Sequence, residues 1–304
     1  MTRAVAVVGA SGLLGRRLVA ALVARGDRVL AVSRGGRTGL VGVSEVRWDP
    51  ADGGPPDEVF AGVDAVVNLA GAPIAAGRWT DARKREILSS RVQTTRMLAE
   101  RIGGPGTPGV LVNASAVGYY GRVRGDLWVD EASPAGDDFL ADVGRAWEQA
   151  TEAAERRGAR VVRLRTGLVL SPEGGILPRL VGLSRRLIGG PVGGGRQWMP
   201  WIHVDDHLAA MLRAVDDEGL EGPVNAVAPN PVRQREFMAA LGRALHRPAF
   251  LPTPGAVVRL ALGEMATLVL DGQRVRPAAL GARGFSFVYP DLDDAVAAAL
   301  VERR

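Results

Sequence analysis

A strand, a glycine-rich turn and a helix open the chain, and this combination limits the fold more than any other feature. The run AVAVV (4–8) is β-branched, GASGLLG (9–15) follows it, and a helical apolar pattern continues to Arg25. Glycines at this spacing permit a tight turn, a close approach to pyrophosphate and helix–strand packing, while the helix N-terminus offers N–H groups to phosphate. The pattern predicts a Rossmann-type dinucleotide site formed by Gly9, Ser11, Gly12, Leu13, Leu14 and Gly15. A tight turn without a ligand is the alternative, and the strand–turn–helix context disfavours it.

The end of the second predicted strand, RVLAVS (28–33), indicates which dinucleotide binds. An NAD site usually places Asp or Glu here to hold the ribose hydroxyls, whereas this chain has Ser33 followed by Arg34. A guanidinium pairs with a 2′-phosphate, which a carboxylate would repel. We therefore predict NADP(H) as the cofactor, with a solvated loop position as the alternative for Arg34.

Apolar runs alternate with helical patterns along the first half of the chain. The two long helical patterns are at 80–102 and 139–157. The further strand patterns are at 45–49, 64–71, 109–115 and 160–170. Near-continuous Val/Leu runs separated by helices are typical of a parallel sheet covered on both faces. The predicted fold class is α/β, a Rossmann-type doubly wound parallel sheet with a smaller C-terminal α+β domain on the substrate side.

The alternation of apolar runs and helical patterns stops after Leu170, and a glycine-rich stretch follows. This change in composition indicates the domain organisation. Residues 1–170 are predicted to form the NADP-binding domain, and 197–228 to return to it. The glycine-rich stretch 171–196 and the tail 229–304 are assigned to the smaller substrate-side domain.

Composition excludes several classes of protein. The 304 residues contain no cysteine, which rules out disulfides and thiolate metal sites, and the N-terminal apolar run is shorter than a signal peptide requires. No stretch is apolar for long enough to span a bilayer. The formal charge is +5, but the basic residues are scattered arginines and Lys84 is the single lysine. We expect a cytoplasmic protein that binds neither nucleic acid nor membrane.

Several motifs together resemble the extended short-chain dehydrogenase/reductase family, and most closely its sugar-nucleotide epimerase-like subfamily of NAD-dependent epimerase/dehydratases. They are VVGASGLLG (7–15), VVNLAGAPI (66–74), NASAVGYYG (113–121), WEQA (147–150) and WIHVDD (201–206). The stretches 250–275 and 284–292 resemble the small C-terminal domain of that subfamily. The resemblance implies that Leu69, Ala70 and Gly71 line the central section of the cofactor. It also implies that Asp49 lies near the adenine and that Ser115 is the active-site serine.

The chain lacks the Tyr-x-x-x-Lys motif on which the family's usual chemistry depends. In that motif the lysine holds the nicotinamide ribose and lowers the tyrosine pKa. The matching helix reads FLADVGR (139–145), and the residue four before Lys84 is Thr80. Tyr119 and Tyr120 are the candidate replacement acids, with packing residues as the alternative. Asp142 is a candidate base, although a solvated surface aspartate is the simpler interpretation.

Two other groups have spacing that suggests ligand binding. His203 and His207 stand at i, i+4, but no third zinc ligand is evident, so we predict no metal and expect Asp205 or Asp206 to cap a helix. Arg196 and Trp198 lie where the family binds the far end of its substrate. Arg196 is suited to a phosphate and Trp198 to a ring, with a structural loop as the alternative.

Two functions remain open from the sequence. One is an NADP(H)-binding oxidoreductase or epimerase acting on a small polar molecule such as a nucleotide sugar, with Ser115, Tyr119 and Tyr120 as catalytic residues. The other is a catalytically inert NADP(H)-binding sensor or regulatory protein. The helices at 80–102 and 139–157 are candidates for a homodimer interface.

Overall fold

The computed structural model describes residues 2–122, 125–249 and 251–301. Its strands are β1 (Ala4–Val8), β2 (Arg28–Ser33), β3 (Ser44–Arg47), β4 (Ala65–Asn68), β5 (Val110–Ala116), β6 (Trp128–Val129), β7 (Arg160–Thr166), β8 (Leu168–Leu170), β9 (Trp198–Met199), β10 (Trp201–His203), β11 (Gly222–Ala226), β12 (Val232–Arg233) and β13 (Arg274–Val275). Its α-helices are α1 (Leu13–Arg25), α2 (Asp81–Ala99), α3 (Phe139–Gln149), α4 (Glu152–Arg156), α5 (Leu177–Arg185), α6 (Val204–Asp216), α7 (Gln234–Leu245), α8 (Gly255–Leu262), α9 (Thr267–Leu270), α10 (Ala278–Ala282) and α11 (Leu292–Val301). Short 3₁₀ turns occupy Asp57–Val59, Val117–Tyr120 and Gly263–Ala266.

A seven-stranded parallel sheet forms the centre of the molecule, in the order β11-β7-β5-β4-β1-β2-β3. The chain begins in the middle of the sheet at β1, builds outward through β2 and β3, and then crosses to β4 on the other side. The strand order therefore reverses between β1 and β4, where open α/β sheets form a ligand crevice at the carboxyl ends of their strands. The predicted Rossmann-type fold class is confirmed.

Alternate residues of β1 pack into two different cores. Val5 and Val7 join the core that includes Leu18 of α1 and Met211 of α6. Ala6 and the other core residues of the opposite face pack against the C-terminal part of α2 and against α4. Strands buried on both faces must be apolar at every position, which explains the continuous Val/Ala runs in the sequence.

Helix α1 has the bounds that the sequence predicts. It ends at Gly26, whose φ of +90° places it in the left-handed conformation that terminates many helices. The predicted helix at 139–157 is instead interrupted, and the Thr151 hydroxyl donates to the Glu148 carbonyl (2.7 Å) at the break between α3 and α4.

The run 160–170 is also not one strand, as the sequence suggested. It divides at Gly167 into β7, in the central sheet, and β8, which pairs with β10. A Cβ on Gly167 would lie 2.4 Å from the Pro200 carbonyl oxygen, so the close passage of another segment requires glycine and redirects the chain.

The later part of the chain builds a third core beside the sheet. Trp201, Phe237, Leu241 and Val296 are among its buried side chains, which link β10 with α7 and α11. In the described ranges, no helix combines the length and the apolar character that a membrane crossing needs.

Candidate functional site

A cleft of about 400 Å³ opens at the reversal of strand order, and we call it the switch-point cleft. It lies at the carboxyl ends of β1, β2 and β4, against one side of α2. Its lining includes nine of the twelve cofactor residues predicted from the sequence, which are Gly9, Ser11, Gly12, Ser33, Arg34, Asp49, Leu69, Ala70 and Gly71. The other three, Leu13, Leu14 and Gly15, form the first turn of α1 beside it.

Steric contacts with neighbouring backbone require glycine at positions 9 and 15 of the turn. Gly9 has φ +84°, and a Cβ there would lie 3.1 Å from the Ala70 nitrogen. A Cβ on Gly15 would lie 2.3 Å from the Gly9 carbonyl oxygen, far inside contact distance. Gly12 leaves α1 without a side-chain cap, and the first turn has no acidic residue. Unpaired N–H groups and the positive end of the helix dipole therefore face a cleft that fits a pyrophosphate.

The part of the cleft formed by the end of β2, next to the glycine turn, is suited to a phosphate. The Ser33 side chain is buried, and its hydroxyl has no hydrogen-bond partner among the described residues. Arg34 beside it is exposed and forms no ion pair within the described parts of the chain. Asp49 uses one carboxylate oxygen to accept from the Ala51 N–H (3.0 Å). An orphaned buried hydroxyl next to a free guanidinium fits the 2′-phosphate of NADP(H).

Ser115 and Tyr120 belong to a chain of buried side chains, which we call the polar network. The Ser115 hydroxyl donates to Glu148 Oε1 (2.6 Å), and Glu148 accepts from Arg165 through both carboxylate oxygens (2.8 Å each). Arg165 Nη1 donates to the Tyr120 hydroxyl (2.9 Å), which itself donates to Asn225 Oδ1 (2.7 Å). The network links β5, the 3₁₀ turn Val117–Tyr120, α3, β7 and β11 across the end of the sheet.

The network limits what Tyr120 can do chemically. Burial raises the pKa of Tyr120 to about 12, although the neighbouring Arg165 acts in the opposite direction. Its hydroxyl also has one donor and one acceptor already in place. Tyr120 is therefore protonated at neutral pH and held by the protein itself.

Tyr119 has a different environment from its neighbour. The Arg165 guanidinium lies over its ring at 3.6 Å from the centroid, and no described residue hydrogen-bonds to its hydroxyl. It lines a second cleft, together with Arg145 and Glu148. A Cβ on Gly144 of α3 would lie 3.1 Å from Tyr119 Cα, so α3 has no room for a long side chain at that point.

Arg196 and Trp198 line a third cleft, which we call the arginine cleft. Two guanidinium groups form cation–π contacts with the Trp198 ring, that of Arg233 at 4.1 Å and that of Arg274 at 4.5 Å from the ring centroid. Its indole N–H donates to Asp126 Oδ1 (3.1 Å). The arginines of this cleft are Arg122, Arg196, Arg233 and Arg259.

Family models match almost the whole chain. Residues 5–227 match the NAD dependent epimerase/dehydratase family, and residues 253–299 match a domain of unknown function, DUF1731. The chain belongs to the NAD dependent epimerase/dehydratase family. The resemblance inferred from the sequence motifs is confirmed.

Relatives and solved structures agree with this membership. Epimerase family protein Mb2239 of Mycobacterium bovis is 43% identical over 293 residues, which are 96% of this chain and 96% of that protein. The crystal structure of human epimerase family protein SDR39U1 with NADPH has a TM-score of 0.86 and 36% identity, covering 97% of this chain and 98% of that one. A nucleoside-diphosphate sugar epimerase from Corynebacterium glutamicum has a TM-score of 0.79 and 37% identity, covering 99% of this chain and 58% of that one.

The histidines of this epimerase-family protein have structural contacts. His203 Nδ1 accepts from the Asp205 N–H (3.3 Å), so His203 caps α6, and the cap expected from Asp205 or Asp206 is wrong. Asp206 instead accepts from the backbone N–H groups of Val288 and Tyr289 (2.7 and 2.9 Å). His207 bonds to the Thr166 hydroxyl (2.9 Å), and burial lowers its pKa to about 4. Across the described ranges, no group of three or more metal-ligating side chains comes together.

The structure adds functional candidates that sequence reasoning missed. Glu148, Arg165 and Asn225 were not singled out, although Glu148 lies in the WEQA motif (147–150). Asp142 is exposed and pairs with Arg145 on the same helix, which is the solvated role that the simpler interpretation expects. The three clefts have no lining residue in common, so most of the predicted cofactor residues, Tyr119, and the predicted substrate residues line separate clefts, while Ser115 and Tyr120 line none of the three.

Proposed function

We propose that this protein is an NADP(H)-binding oxidoreductase or epimerase of the extended short-chain dehydrogenase/reductase type, acting on a small anionic molecule such as a nucleotide sugar. The observation that carries the proposal is the switch-point cleft, which is lined both by a glycine turn and by the orphaned Ser33 hydroxyl beside Arg34. The NADPH in the human SDR39U1 structure supports the same cofactor here.

Each part of the cleft lining would contact a different part of the dinucleotide. The turn at 9–12 and the first turn of α1 would bind the pyrophosphate, and Ser33 with Arg34 would bind the 2′-phosphate. Asp49 would lie beside the adenosine, and residues 69–71 would line the central section. When bound, the nicotinamide supplies a hydride donor or acceptor at its C4 atom.

Among the candidate acids, Tyr119 is better placed than Tyr120 to exchange a proton with substrate. Its hydroxyl is not bonded to any described residue, whereas Tyr120 is fixed by Asn225 and Arg165. The Arg165 guanidinium lies over the Tyr119 ring and fixes its position beside the second cleft. Ser115, held by Glu148, would orient the substrate.

The arginine cleft supports an anionic substrate. Arg122 and Arg233 pair with Asp271 and Asp126, but Arg196 and Arg259 form no ion pair within the described ranges. Unpaired guanidinium groups at a cleft bind phosphate strongly and in a defined orientation. We propose that Arg196 contacts a phosphate of the substrate, while Trp198 holds Arg233 and Arg274 in place.

The test is a fluorescence titration with NADPH and NADH, followed by incubation of the complex with nucleoside-diphosphate sugars and simple carbonyl compounds. Turnover appears either as a change in reduced-nicotinamide absorbance or as an epimerised product detected by NMR. We expect selective binding of NADPH and turnover with an anionic compound that Arg196→Met weakens. Failure to bind either nucleotide would contradict the proposal.

A redox-inert NADP(H) sensor remains the second candidate, because the polar network favours it. Ser115 donates to Glu148, and both hydrogen-bonding positions of the Tyr120 hydroxyl are occupied by protein. Selective NADPH binding without turnover across the panel, unchanged by Tyr119→Phe, would support this function.

A further inference from the structure

Exposed apolar side chains are concentrated in two short segments near the arginine cleft. Among the described residues, twelve large apolar side chains are exposed, and half of them belong to the segments 183–188 and 251–260. We call these six side chains the apolar patch: Leu183, Leu187, Ile188, Leu251, Val257 and Leu260. Single exposed apolar residues are ordinary on a protein surface, but such a concentration marks an interaction site.

The chain that leaves the first segment runs alongside the second. The Thr253 N–H donates to the Pro191 carbonyl (2.8 Å), and the Gly193 N–H donates to the Thr253 carbonyl (2.9 Å). A Cβ on Gly190 would overlap the Leu251 carbonyl oxygen, so backbone touches backbone at this point. The two segments therefore belong to one region of the surface.

Helix α8, within the second segment, turns an apolar face outward. Ala256, Val257, Leu260 and Ala261 are exposed, whereas Val258 is the buried side chain of this helix. Leu260 is 82% exposed. A surface helix normally turns its polar side chains to water and its apolar face to the core. The outward face of α8 is thus apolar surface that packs on nothing within the described chain.

The end of α5, in the first segment, exposes a leucine in an unfavourable backbone conformation. Leu187 has φ +62°, the left-handed conformation in which helices usually end on glycine. The Ile188 N–H then donates to the Leu183 carbonyl (3.0 Å). Leu187 and Ile188 are 50% and 56% exposed. Neither the turn nor internal packing calls for apolar side chains here, so a contact outside the chain explains them better.

The charge around the apolar patch is of one sign. The stretches 174–204 and 237–263 contain no acidic residue. Their arginines are Arg179, Arg185, Arg186, Arg196, Arg247 and Arg259, which form no ion pair within the described ranges, and Arg243, which pairs with Asp293. The acids that flank the stretches are engaged: Glu173 and Asp205 pair with Arg17. Glu264 pairs with Lys84. This region is therefore suited to an anionic surface.

The same charge decides between candidate partners. A symmetric dimer through the apolar patch would bring the same surface of two copies together. Arginines would then face arginines, and like charges across an interface are unfavourable. An anionic bilayer supplies the opposite charge at its headgroups and an apolar layer directly beneath them.

We infer that the apolar patch and its surrounding arginines dock this protein on a membrane surface that contains anionic phospholipid. The apolar side chains would enter the boundary between headgroups and acyl chains, and Arg185 and Arg186 would contact lipid phosphates. Arg259 also lines the arginine cleft, so docking would place that cleft near the headgroups. The arginines are scattered in the sequence, which led to the expectation of no membrane binding, and folding gathers several of them here. The inference is independent of NADP(H) binding.

The experiment is co-sedimentation of the full chain with two kinds of vesicle. One is phosphatidylcholine alone, and the other contains about 30% phosphatidylglycerol. We expect the wild type to bind the anionic vesicles, more weakly as the salt concentration rises, and to leave phosphatidylcholine vesicles largely unbound.

Two double variants test the two parts of the surface. Val257→Ser with Leu260→Ser should reduce the partition coefficient on anionic vesicles roughly 10-fold, because less apolar area enters the bilayer. Arg185→Ser with Arg186→Ser should reduce it roughly 10- to 30-fold at low salt. The matched controls are Val41→Ser and Arg96→Ser, at exposed positions outside this region, and they should bind as wild type does. Thermal melts check that every variant folds.

Each outcome bears on the inference directly. Binding to anionic vesicles that both double variants weaken, and that neither control weakens, supports membrane docking. Absence of wild-type binding to anionic vesicles, or binding that the double variants and the controls alter equally, would overturn it. Light scattering that shows a dimer dissociated by Val257→Ser with Leu260→Ser, without vesicle binding, would assign the apolar patch to a second copy instead. NADPH titrations of the same variants should match wild type, so the proposed function stands or fails separately.

Discussion

The switch-point cleft and the polar network differ in how they are built. Short stretches at the ends of strands, among them residues 8–12, 32–34 and 69–73, line the cleft, and the buried Ser33 hydroxyl in it has no partner among the described residues. The network joins side chains from five separate elements, and Ser115, Tyr120 and Arg165 are bonded to one another or to Glu148 and Asn225. The cleft is therefore prepared for a ligand, whereas the network is satisfied internally.

This difference indicates how a family member can retain a cofactor site while its catalytic centre changes. A glycine turn tolerates few substitutions, because each added Cβ meets backbone. Polar side chains can exchange partners with one another without altering the chain path. The predictions below test whether the two regions behave independently.

The largest effect is expected from opening the polar network. Arg165→Met removes the partner of Glu148, whose carboxylate then stays buried and unpaired. Loss of one member of a buried pair costs about 3–5 kcal/mol of the free energy of unfolding. Urea denaturation measures this loss. The control, Arg156→Met, breaks the exposed pair with Glu152 and should cost less than about 1 kcal/mol. Equal effects of the two substitutions would show that the network does not hold the sheet end together.

A pH effect of similar size is expected from His207, which contacts the end of β7. Burial lowers its pKa from 6.5 to about 4. Between these values the unfolded chain binds a proton that the folded chain does not, so stability falls as the pH decreases through this window. The loss reaches at most about 3 kcal/mol. Urea melts between pH 4 and 7 should show a shallower decline for His207→Gln than for wild type. Identical declines would contradict the buried neutral imidazole.

Crowding the glycine turn should affect the cleft more than the rest of the fold. Gly15→Ala places a Cβ 2.3 Å from the Gly9 carbonyl oxygen, which the turn relieves only by moving. We expect a cost of about 1–3 kcal/mol and a large loss of NADPH affinity. Gly54→Ala is the control, since nothing lies within 4 Å of its added Cβ. Unimpaired NADPH binding by Gly15→Ala would show that the turn is not the pyrophosphate site.

The smallest effect concerns selectivity. Ser33→Ala deletes an orphaned hydroxyl, so protein stability should be unchanged or slightly higher. The preference for NADPH over NADH should fall roughly 3- to 10-fold, because one hydrogen bond to the 2′-phosphate is lost. Paired titrations with both nucleotides measure the ratio, with Ser44→Ala at an exposed site as the control. A ratio equal to that of wild type would place the 2′-phosphate elsewhere.

The sequence by itself determined the parts of this protein that depend on local order. The glycine turn, the bounds of α1 and β2, and the alternation of apolar runs with helices follow from spacing of about four to thirteen residues. Steric limits on the backbone and hydrophobic periodicity act at that range. They were sufficient to predict the parallel sheet and the position of the cleft.

The tertiary structure alone decided which distant side chains meet. Glu148 and Arg165 are 17 positions apart, and Tyr120 and Asn225 are 105 apart, yet each pair is in contact within the buried end of the sheet. The division of 160–170 at Gly167 likewise depends on the passage of Pro200. Periodicity shows that a residue is buried or exposed, but strand order and helix placement select its partner. For that reason the sequence predicted the cofactor cleft but did not predict the polar network.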